Sequence, residues 1–347
     1  MLTAEITKTF QPGGFRLDVK LEAGNEVLSI LGASGCGKSV TLQSIAGIIK
    51  PDIGRIILEG TTLFDSLRSI NVSPQERHCG LMFQNYALFP NMTAEQNLMT
   101  VLRAIPEQKR RKKAEAIMNA FGLSEVRGLY PSQLSGGQMQ RTALVRMLLA
   151  EPRIIMLDEP FSSLDRQLRR STERYMREIF RNFAGTVILV SHDIDEVFRL
   201  SDKIAVMNNG RIETYGTKHK VFSSPETRTA AILTGCGNIS RAERVSANEV
   251  FASDWGITLR LSLNDNAGFI GIRSRDIRPC FDDDRANVFR CRVSDVIENT
   301  DSFTVMLCPE SSCLPLGMEL SKREWAAIRF DMVNICLPEE NILQLKE

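Results

Sequence analysis

Length, composition and charge describe an ordinary globular chain and exclude several classes of function. The 347 residues include 43 Lys plus Arg and 42 Asp plus Glu, which leaves a formal net charge of only +1. Because these charges balance, no overall electrostatic field favours nucleic acid or an anionic membrane. No apolar run reaches the roughly 18 residues that a membrane-spanning helix needs, and the first residues lack the pattern of a secretory signal. We therefore expect a cytoplasmic protein with two or three domains.

The first predicted element is a half-buried strand. Phe15, Leu17, Val19 and Leu21 are separated by charged residues, and this two-residue period is typical of an antiparallel strand with one face on the core. Just before it, Phe10 is a candidate platform on which a nucleotide base could stack. A core position in a small sheet explains Phe10 equally well, and Phe15 competes for the same stacking role.

A glycine-rich loop follows the next apolar strand. Residues 28–31 have strand character, residues 40–49 carry apolar side chains at helical spacing, and the loop between them matches G-x-x-x-x-G-K-[ST]. The candidate phosphate-binding residues are Gly32, Ala33, Ser34, Gly35, Cys36, Gly37, Lys38, Ser39 and Val40. Glycines allow successive backbone N–H groups to surround an anion. Lys38 would reach the β- and γ-phosphates and Ser39 would ligate Mg²⁺. This context predicts a nucleoside triphosphate site.

Two adjacent carboxylates follow a second apolar strand. Residues 154–157 are all apolar and end in Asp158 and Glu159, as in a buried parallel strand that delivers acidic groups to its carboxyl edge. We expect Asp158 to hold Mg²⁺ and Glu159 to polarise a water molecule as general base. Successive residues of a strand point in different directions, so the two roles can be separate.

Polar residues end two further predicted strands. Gln84 follows residues 80–83 and is a candidate for contacting both Mg²⁺ and the attacking water, although a glutamine at a strand end is usually a surface residue. His192 follows the apolar residues 186–190. A lone histidine is more often structural, but its place at the end of a core strand favours a contact with the γ-phosphate.

A second candidate anion site lies within residues 92–150, which are predicted to be nearly all helical. Ser135, Gly136 and Gly137 open one of these helices. Such a turn offers a hydroxyl group, unhindered backbone amides and the positive end of the helix dipole. An ordinary helix cap is the simpler interpretation, but two anion sites in a chain with one phosphate loop require an explanation.

Taken in chain order, these motifs resemble those of the ATP-binding subunit of ABC transporters, over about residues 1–235. The correspondences are residues 32–39 with Walker A, Gln84 with the Q-loop, residues 134–138 with the LSGGQ signature, residues 154–159 with Walker B, Ser163, Leu164 and Asp165 with the D-loop, and His192 with the switch histidine. The signature distinguishes this family from kinases, GTPases and other P-loop proteins. The resemblance implies an α/β fold with a RecA-like P-loop core, an antiparallel β subdomain and a helical subdomain at about residues 92–150.

The resemblance also explains the second anion site. In the family two subunits pair head to tail, so Ser135, Gly136 and Gly137 of one subunit would cover the γ-phosphate held by the other. Asp165 would join the nucleotide site, and the implied cofactors are ATP and Mg²⁺. Two departures from the family pattern are minor, because Val40 supplies only a backbone N–H in place of the usual hydroxyl residue and Ser163 replaces a frequent alanine.

Residues 236–347 predict a different kind of domain. Short alternating segments at residues 257–261, 289–293 and 303–307 indicate small OB/TOBE-like β-barrels. Residues 271–277 resemble part of the TOBE domains of importer ATPases, which serve dimer contact and, in some members, regulation by the transported solute. Residues 234–238 most resemble molybdate and sulfate importers. The eight cysteines are expected to be reduced thiols.

The sequence therefore predicts an ATP-hydrolysing importer subunit, with a nucleotide-binding domain at residues 1–235 and a TOBE-like domain at residues 236–347. The implied partners are a second copy of the chain, membrane permease subunits and an extracytoplasmic solute-binding protein, with no nucleic acid. The chain would lie at the cytoplasmic face of the membrane. The permease would dock near five residues, Tyr86, Ala87, Leu88, Phe89 and Pro90.

Three alternatives to an oxyanion importer stay open. An importer ATPase for iron or a sugar would carry the same motifs. A soluble ABC ATPase of DNA repair or translation is disfavoured. Such proteins usually join two nucleotide sites in one chain or carry a long coiled-coil or zinc-binding insertion, whereas this chain has one set of motifs and the short spacing between Gln84 and Ser135 leaves no room for a coiled coil. An export ATPase is disfavoured because exporters usually fuse membrane helices or lack a C-terminal barrel domain.

Overall fold

The chain folds as two compact units, Met1–Lys218 and His219–Glu347, in a computed structural model. The described residues are 1–11, 13–102, 106–162, 164, 166–280, 286–309, 314–327 and 331–347. Residues 219–235 belong to the second unit by their contacts, whereas the predicted nucleotide-binding domain extends to residue 235. The boundary between the two compact units therefore lies after Lys218, and the predicted domain boundary lies after residue 235.

An antiparallel sheet begins the first unit. Its strands are β1 (Leu2–Thr9), β2 (Arg16–Ala23), β4 (Ile53–Leu58), β5 (Thr61–Asp65) and β6 (Ile70–Asn71). They are hydrogen-bonded in the order β2-β1-β4-β5-β6. Side chains along β2 alternate strictly between exposed and buried, and β2 pairs antiparallel with β1. The half-buried antiparallel strand predicted from the sequence is confirmed.

The core of the first unit is a six-stranded sheet. Its strands are β3 (Val27–Gly32), β7 (Cys79–Met82), β8 (Ile154–Asp158), β9 (Thr186–Val190), β10 (Lys203–Asn208) and β11 (Arg211–Thr217). The order is β11-β10-β3-β9-β8-β7, with every neighbouring pair parallel except β10 and β11. Since β3, β7, β8 and β9 are parallel, their carboxyl ends meet at one edge of the sheet.

Helices flank this sheet and form a region of their own. They are α1 (Lys38–Ala46), α2 (Ala94–Met99), α3 (Glu107–Ala120), α4 (Gly136–Leu149), α5 (Arg166–Asn182), α6 (Ile194–Leu200) and α7 (Lys218–Ser223), which begins at the last residue of the unit. Leu98, Met118 and Val145 from α2, α3 and α4 share one apolar cluster, so the described part of residues 92–150 is built mainly of packed helices. Within the described ranges, no helix combines the length and apolarity needed to cross a membrane.

A buried arginine closes the carboxyl end of α1. The Arg77 side chain is 1% exposed, and its guanidinium donates hydrogen bonds to the carbonyls of Ser44 (3.0 Å) and Ile45 (2.8 Å). A Cβ at Gly47 would lie 2.5 Å from Arg77 Nε, so glycine is required at that position. Because a cation is favoured at the negative end of a helix dipole, Arg77 fixes the end of α1 that lies away from the phosphate loop.

The second unit is built from two antiparallel sheets around one core. The first sheet contains β12 (Asn238–Ser246), β13 (Glu249–Ala252), β14 (Ile257–Arg260), β15 (Phe269–Ile272) and β21 (Leu343–Leu345), and the second contains β16 (Arg278–Pro279), β17 (Val288–Glu298), β18 (Ser302–Pro309), β19 (Leu316–Ser321) and β20 (Met332–Cys336). Helices α8 (Arg228–Leu233) and α9 (Lys322–Ala327) accompany them. Trp255, Leu259 and Leu307 pack in the shared core. The predicted barrel-like domain of short alternating strands is confirmed.

Candidate functional site

The loop between β3 and α1 is shaped by two glycines and a buried lysine. A Cβ at Gly32 would lie 2.4 Å from the carbonyl oxygen of Met207, so glycine lets β3 end against β10. Gly37 has a φ of 111° at the N-cap of α1, a conformation that glycine adopts without strain. Lys38 is 6% exposed, and its Nζ donates to the carbonyls of Gly32 (2.7 Å) and Ala33 (2.8 Å). The loop thus curls around an ammonium group at the amino end of α1.

A hydroxyl and a carboxylate meet beside this loop. Asp158, the last residue of β8, is buried and accepts a hydrogen bond from the Ser39 side chain. Burial raises the pKa of Asp158, the charge of Glu159 adds to that effect, and the Ser39 bond and Lys38 oppose it. Hydroxyl and carboxylate oxygens are ligands that Mg²⁺ prefers, so the predicted pair Ser39 and Asp158 fits a Mg²⁺ site.

Three predicted catalytic side chains converge at the carboxyl edge of the sheet. Gln84 Nε2 donates to Glu159 Oε2 (3.3 Å), and His192 Nδ1 lies 3.4 Å from Glu159 Oε1. Glu159 has a φ of 47°, uncommon for a residue with a side chain, and its N–H donates to the Val190 carbonyl (2.9 Å). That bond ties the end of β8 to the end of β9. The carboxylate of Glu159 is thereby held between a side chain that follows β7 and one that follows β9.

An open cleft of about 380 Å³ lies over the phosphate loop. Its lining contains Phe10, Phe15, Ser34, Gly35, Gly37, Lys38, Ser39, Val40, Gln84, Asp158 and Glu159. The Phe10 and Phe15 ring centroids are 6.2 Å apart, and Phe10 is 46% exposed. Phe15 instead packs on the loop, because a Cβ at Gly37 would lie 2.9 Å from its Cζ. Both rings border the cleft, and the more accessible one is Phe10.

The Ser135 turn is a second, separate helix terminus. Ser135 is the N-cap of α4, where its Oγ accepts from the Gln138 N–H (3.3 Å) and its N–H donates to Gln138 Oε1 (2.8 Å). The described residues that line the cleft do not include Ser135, Gly136 or Gly137. The structure therefore leaves the two predicted anion-binding termini in different places on one chain.

Some predicted residues are buried in the loop or lie beyond the described part of the chain. Cys36 is buried and Ala33 is exposed, and the Cys36 N–H donates to the Ala33 carbonyl (3.3 Å). Asp165 and Ser163 lie outside the described residues. The seven cysteines that the structure describes are free thiols, and Cys313 lies outside the described ranges.

A buried carboxyl group behind His192 carries no sequence signal of function. Glu196 on α6 is 3% exposed, and its pKa is raised to about 8, chiefly by burial and further by the charges of Asp193 and Glu173. A hydrogen bond with Ser191 and the charge of Arg169 oppose the increase. Glu196 is therefore largely protonated in the folded protein at neutral pH, although an exposed glutamic acid would be ionised.

This raised pKa predicts a pH-dependent stability. Between its ordinary value of 4.5 and about 8, folded Glu196 keeps a proton that the unfolded chain has released, so the free energy of unfolding falls as the pH rises through that range. Glu196→Gln removes the titration and should stabilise the protein by a few kcal/mol at about pH 9, with little gain near pH 5. Denaturant unfolding at both pH values measures the difference. The control Asp195→Asn, on the exposed face of α6, should not reproduce it, and an equal gain at both values would contradict the burial argument.

The sequence is similar to known transport proteins. A family model described as ABC transporter matches residues 16–162. The spermidine/putrescine import ATP-binding protein PotA of Bacillus thuringiensis (strain Al Hakam) is 39% identical over 225 residues, which are 64% of this chain and 66% of PotA. The chain thus spans slightly less than two thirds of the length of PotA. The molybdenum import ATP-binding protein ModC of Rhodospirillum rubrum is 33% identical over 267 residues, covering 77% of this chain and 70% of ModC.

The fold is also similar to solved structures. The dimeric structure of the ATP-binding cassette MJ0796, in a post-hydrolysis state bound to ADP and Pi, superposes with a TM-score of 0.55 at 28% identity, covering 63% of this chain and 99% of the cassette. The parallel sheet, the phosphate loop and the order of the motifs agree with this likeness. The chain therefore belongs to the ABC transporter family.

Proposed function

We propose that this chain is the ATP-hydrolysing subunit of an ABC importer. The observation that carries the proposal is the meeting of Gln84, Glu159 and His192 beside the phosphate loop. A water-polarising carboxylate, an amide and an imidazole within hydrogen-bonding reach are suited to in-line attack of water on a γ-phosphate. The import ATP-binding relatives PotA and ModC support the same reaction.

Each residue has a distinct task in the proposed reaction. Lys38 exchanges its loop carbonyls for the β- and γ-phosphates of ATP, and the amide groups at the amino end of α1 bind the same oxygens. Ser39, Asp158 and Gln84 would hold Mg²⁺, which neutralises phosphate charge when bound.

Glu159 accepts the proton of the attacking water, and His192 contacts the γ-phosphate. Phe10 is the proposed stacking platform for the adenine base, because its ring is the more exposed of the two aromatic rings at the cleft.

The complete site would be shared by two copies of the chain. Ser135, Gly136 and Gly137 do not line the cleft of their own chain in the part that the structure describes, and the similar cassette MJ0796 has a dimeric structure. Ser135 is exposed at the positive end of α4, and this helix terminus is suited to cover a γ-phosphate held by the partner. Asp165 would contribute to the same shared site.

The remaining partners follow from the importer assignment. Permease subunits would dock near residues 86–90, where the Phe89 side chain is 48% exposed, and would hold the chain at the cytoplasmic face of the membrane. An extracytoplasmic solute-binding protein would deliver the solute. No nucleic acid takes part.

An oxyanion of the molybdate or sulfate type is the proposed solute. The ModC relatives support molybdate, and a polar cleft of about 830 Å³ in the second unit includes Arg260 and Arg290 in its lining. The PotA relatives favour a second candidate, a polyamine. Iron and sugar importers are further alternatives.

A ligand panel on the purified full chain tests activity and solute together. We expect Mg²⁺-dependent phosphate release from ATP, and a rise in melting temperature of several degrees with saturating molybdate or sulfate, because a ligand at about 100 times its dissociation constant adds about 2.7 kcal/mol. Arg290→Gln should abolish the rise. Arg292→Gln is the matched control, since Arg292 is exposed on the same strand but does not line the cleft. A rise in melting temperature with spermidine alone would favour a polyamine as the solute in place of an oxyanion. If no phosphate is released from ATP, the proposed ATPase activity is refuted.

A further inference from the structure

A short segment after Gln84 has an unusual backbone conformation. Tyr86 and Ala87 have φ values of 60° and 44°, in the left-handed region that non-glycine residues rarely adopt. Two such residues in succession do not persist unless their surroundings hold them. Neighbouring groups must therefore hold residues 86–90, the docking segment, in place.

Arg146 on α4 holds the two strained residues by their carbonyls. Its Nη2 donates to Tyr86 O (3.2 Å) and Ala87 O (2.8 Å), and its guanidinium lies 5.4 Å from the Phe89 ring centroid. Burial lowers the pKa of Arg146, and the described hydrogen bonds of its Nη2 atom both go to carbonyls of this segment. The hydrogen-bonding capacity of this cation is therefore directed to the backbone of the docking segment.

Asn97 on α2 completes the attachment. Its side chain is fully buried; Oδ1 accepts from the Phe89 N–H (2.9 Å) and from Arg146 Nη1 (3.2 Å). Its Nδ2 lies within hydrogen-bonding distance of three carbonyls, those of Phe89 (3.2 Å), Met92 (3.0 Å) and Thr93 (3.1 Å). A buried amide with all its groups engaged fixes the relative position of its partners. Arg146 and Asn97 thus form one polar clamp on the segment.

The clamp joins two parts of the proposed ATPase that are distant in sequence. Arg146 lies on the helix whose N-cap is Ser135. An α-helix rises about 1.5 Å per residue and its successive turns are joined by backbone hydrogen bonds, so a displacement at Arg146 is carried along α4. The docking segment begins two residues after Gln84, whose amide contacts Glu159. A shift of the docking segment would therefore reach Gln84 through the chain and Ser135 through α4.

We propose that Arg146 and Asn97 are positioning residues that couple the docking segment to the Ser135 helix, so that closure of the nucleotide site and movement of the permease contact occur together. The coupling rests on the proposed importer function. Neither residue touches the reacting atoms. Their role is to make the segment and α4 move as one body, in contrast to a surface turn that could shift alone.

Hydrogen exchange in the full chain tests the coupling. In a Glu159→Gln background, Mg²⁺-ATP should slow amide exchange at residues 86–89 as well as in the phosphate loop. With Arg146→Met added, the slowing in the phosphate loop should remain and the slowing at residues 86–89 should be lost. In the wild-type background, Arg146→Met should lower kcat about tenfold while the nucleotide Kd stays constant, because Lys38 and its loop are untouched.

Control variants separate coupling from simple loss of stability. Arg127→Met removes an arginine that pairs with Glu95 in the same helical region and should behave as wild type. Arg146→Lys keeps the charge but not the forked geometry, so its losses in both measurements should be intermediate, and it serves as the test if Arg146→Met does not fold. Wild-type slowing at residues 86–89, or wild-type kcat, in the Arg146 variants would overturn the coupling. A parent chain without ATP hydrolysis would instead refute the proposed function.

Discussion

Glu159→Gln is expected to lower phosphate release by at least about 100-fold while ATP binding is retained, since positioned general bases contribute about 10²–10⁴ in rate. Glutamine has the same shape and keeps hydrogen-bonding groups for Gln84 and His192, which contact the two carboxylate oxygens. It cannot accept the proton of the attacking water. The nucleotide should therefore remain bound and unhydrolysed, and two chains should stay associated around it.

Phosphate release and size-exclusion chromatography with light scattering measure the two consequences. The chain offers a matched control in Glu151→Gln, because Glu151 also has a positive φ (51°, compared with 47° for Glu159) but lies on the surface and pairs with Lys113. That variant should turn over normally and show no ATP-stabilised dimer. Rapid turnover in Glu159→Gln would show that another group acts as the base.

Mixed dimers are expected to recover activity that neither parent has. Lys38→Ala removes the phosphate ligand of one subunit, and Ser135→Asp directs a negative charge at the phosphate held by its partner. Aspartate caps a helix as well as serine does, so α4 should remain folded. In a mixture at equal amounts, half of the dimers contain both variants and each has one intact site. About a quarter of the wild-type activity should therefore return if subunits exchange freely and the sites act independently.

The neutral variant Ser135→Asn identifies the reason for the loss. Asparagine also caps the helix but adds no charge, so its activity should exceed that of Ser135→Asp at equal thermal stability. ATPase rates of each variant alone, of the mixture and of the wild type complete the comparison. A mixture as inactive as its components, with subunit exchange verified by differently tagged chains, would contradict a site shared between subunits.

Local patterns in the sequence determined several elements of this protein. Strict alternation predicted β2, because a strand with one face on the core needs that period wherever it occurs. The phosphate loop was predictable for a similar reason, since the backbone at Gly37 and the close approach at Gly32 exclude other residues. The place of Asp158 at the end of β8 and of His192 two residues after β9 was predictable, because buried parallel strands are apolar runs that stop at one edge.

Only the tertiary structure decided which of these residues meet. Gln84 and Glu159 are 75 residues apart in sequence, and their contact depends on β7 lying beside β8. Arg77, Glu196 and the pair Asn97 and Arg146 carry no period or motif, because their roles arise from burial against distant segments. A sequence pattern records what one segment requires of its own residues, whereas the hydrogen-bond partners of a buried polar group are chosen by the packing of the whole unit.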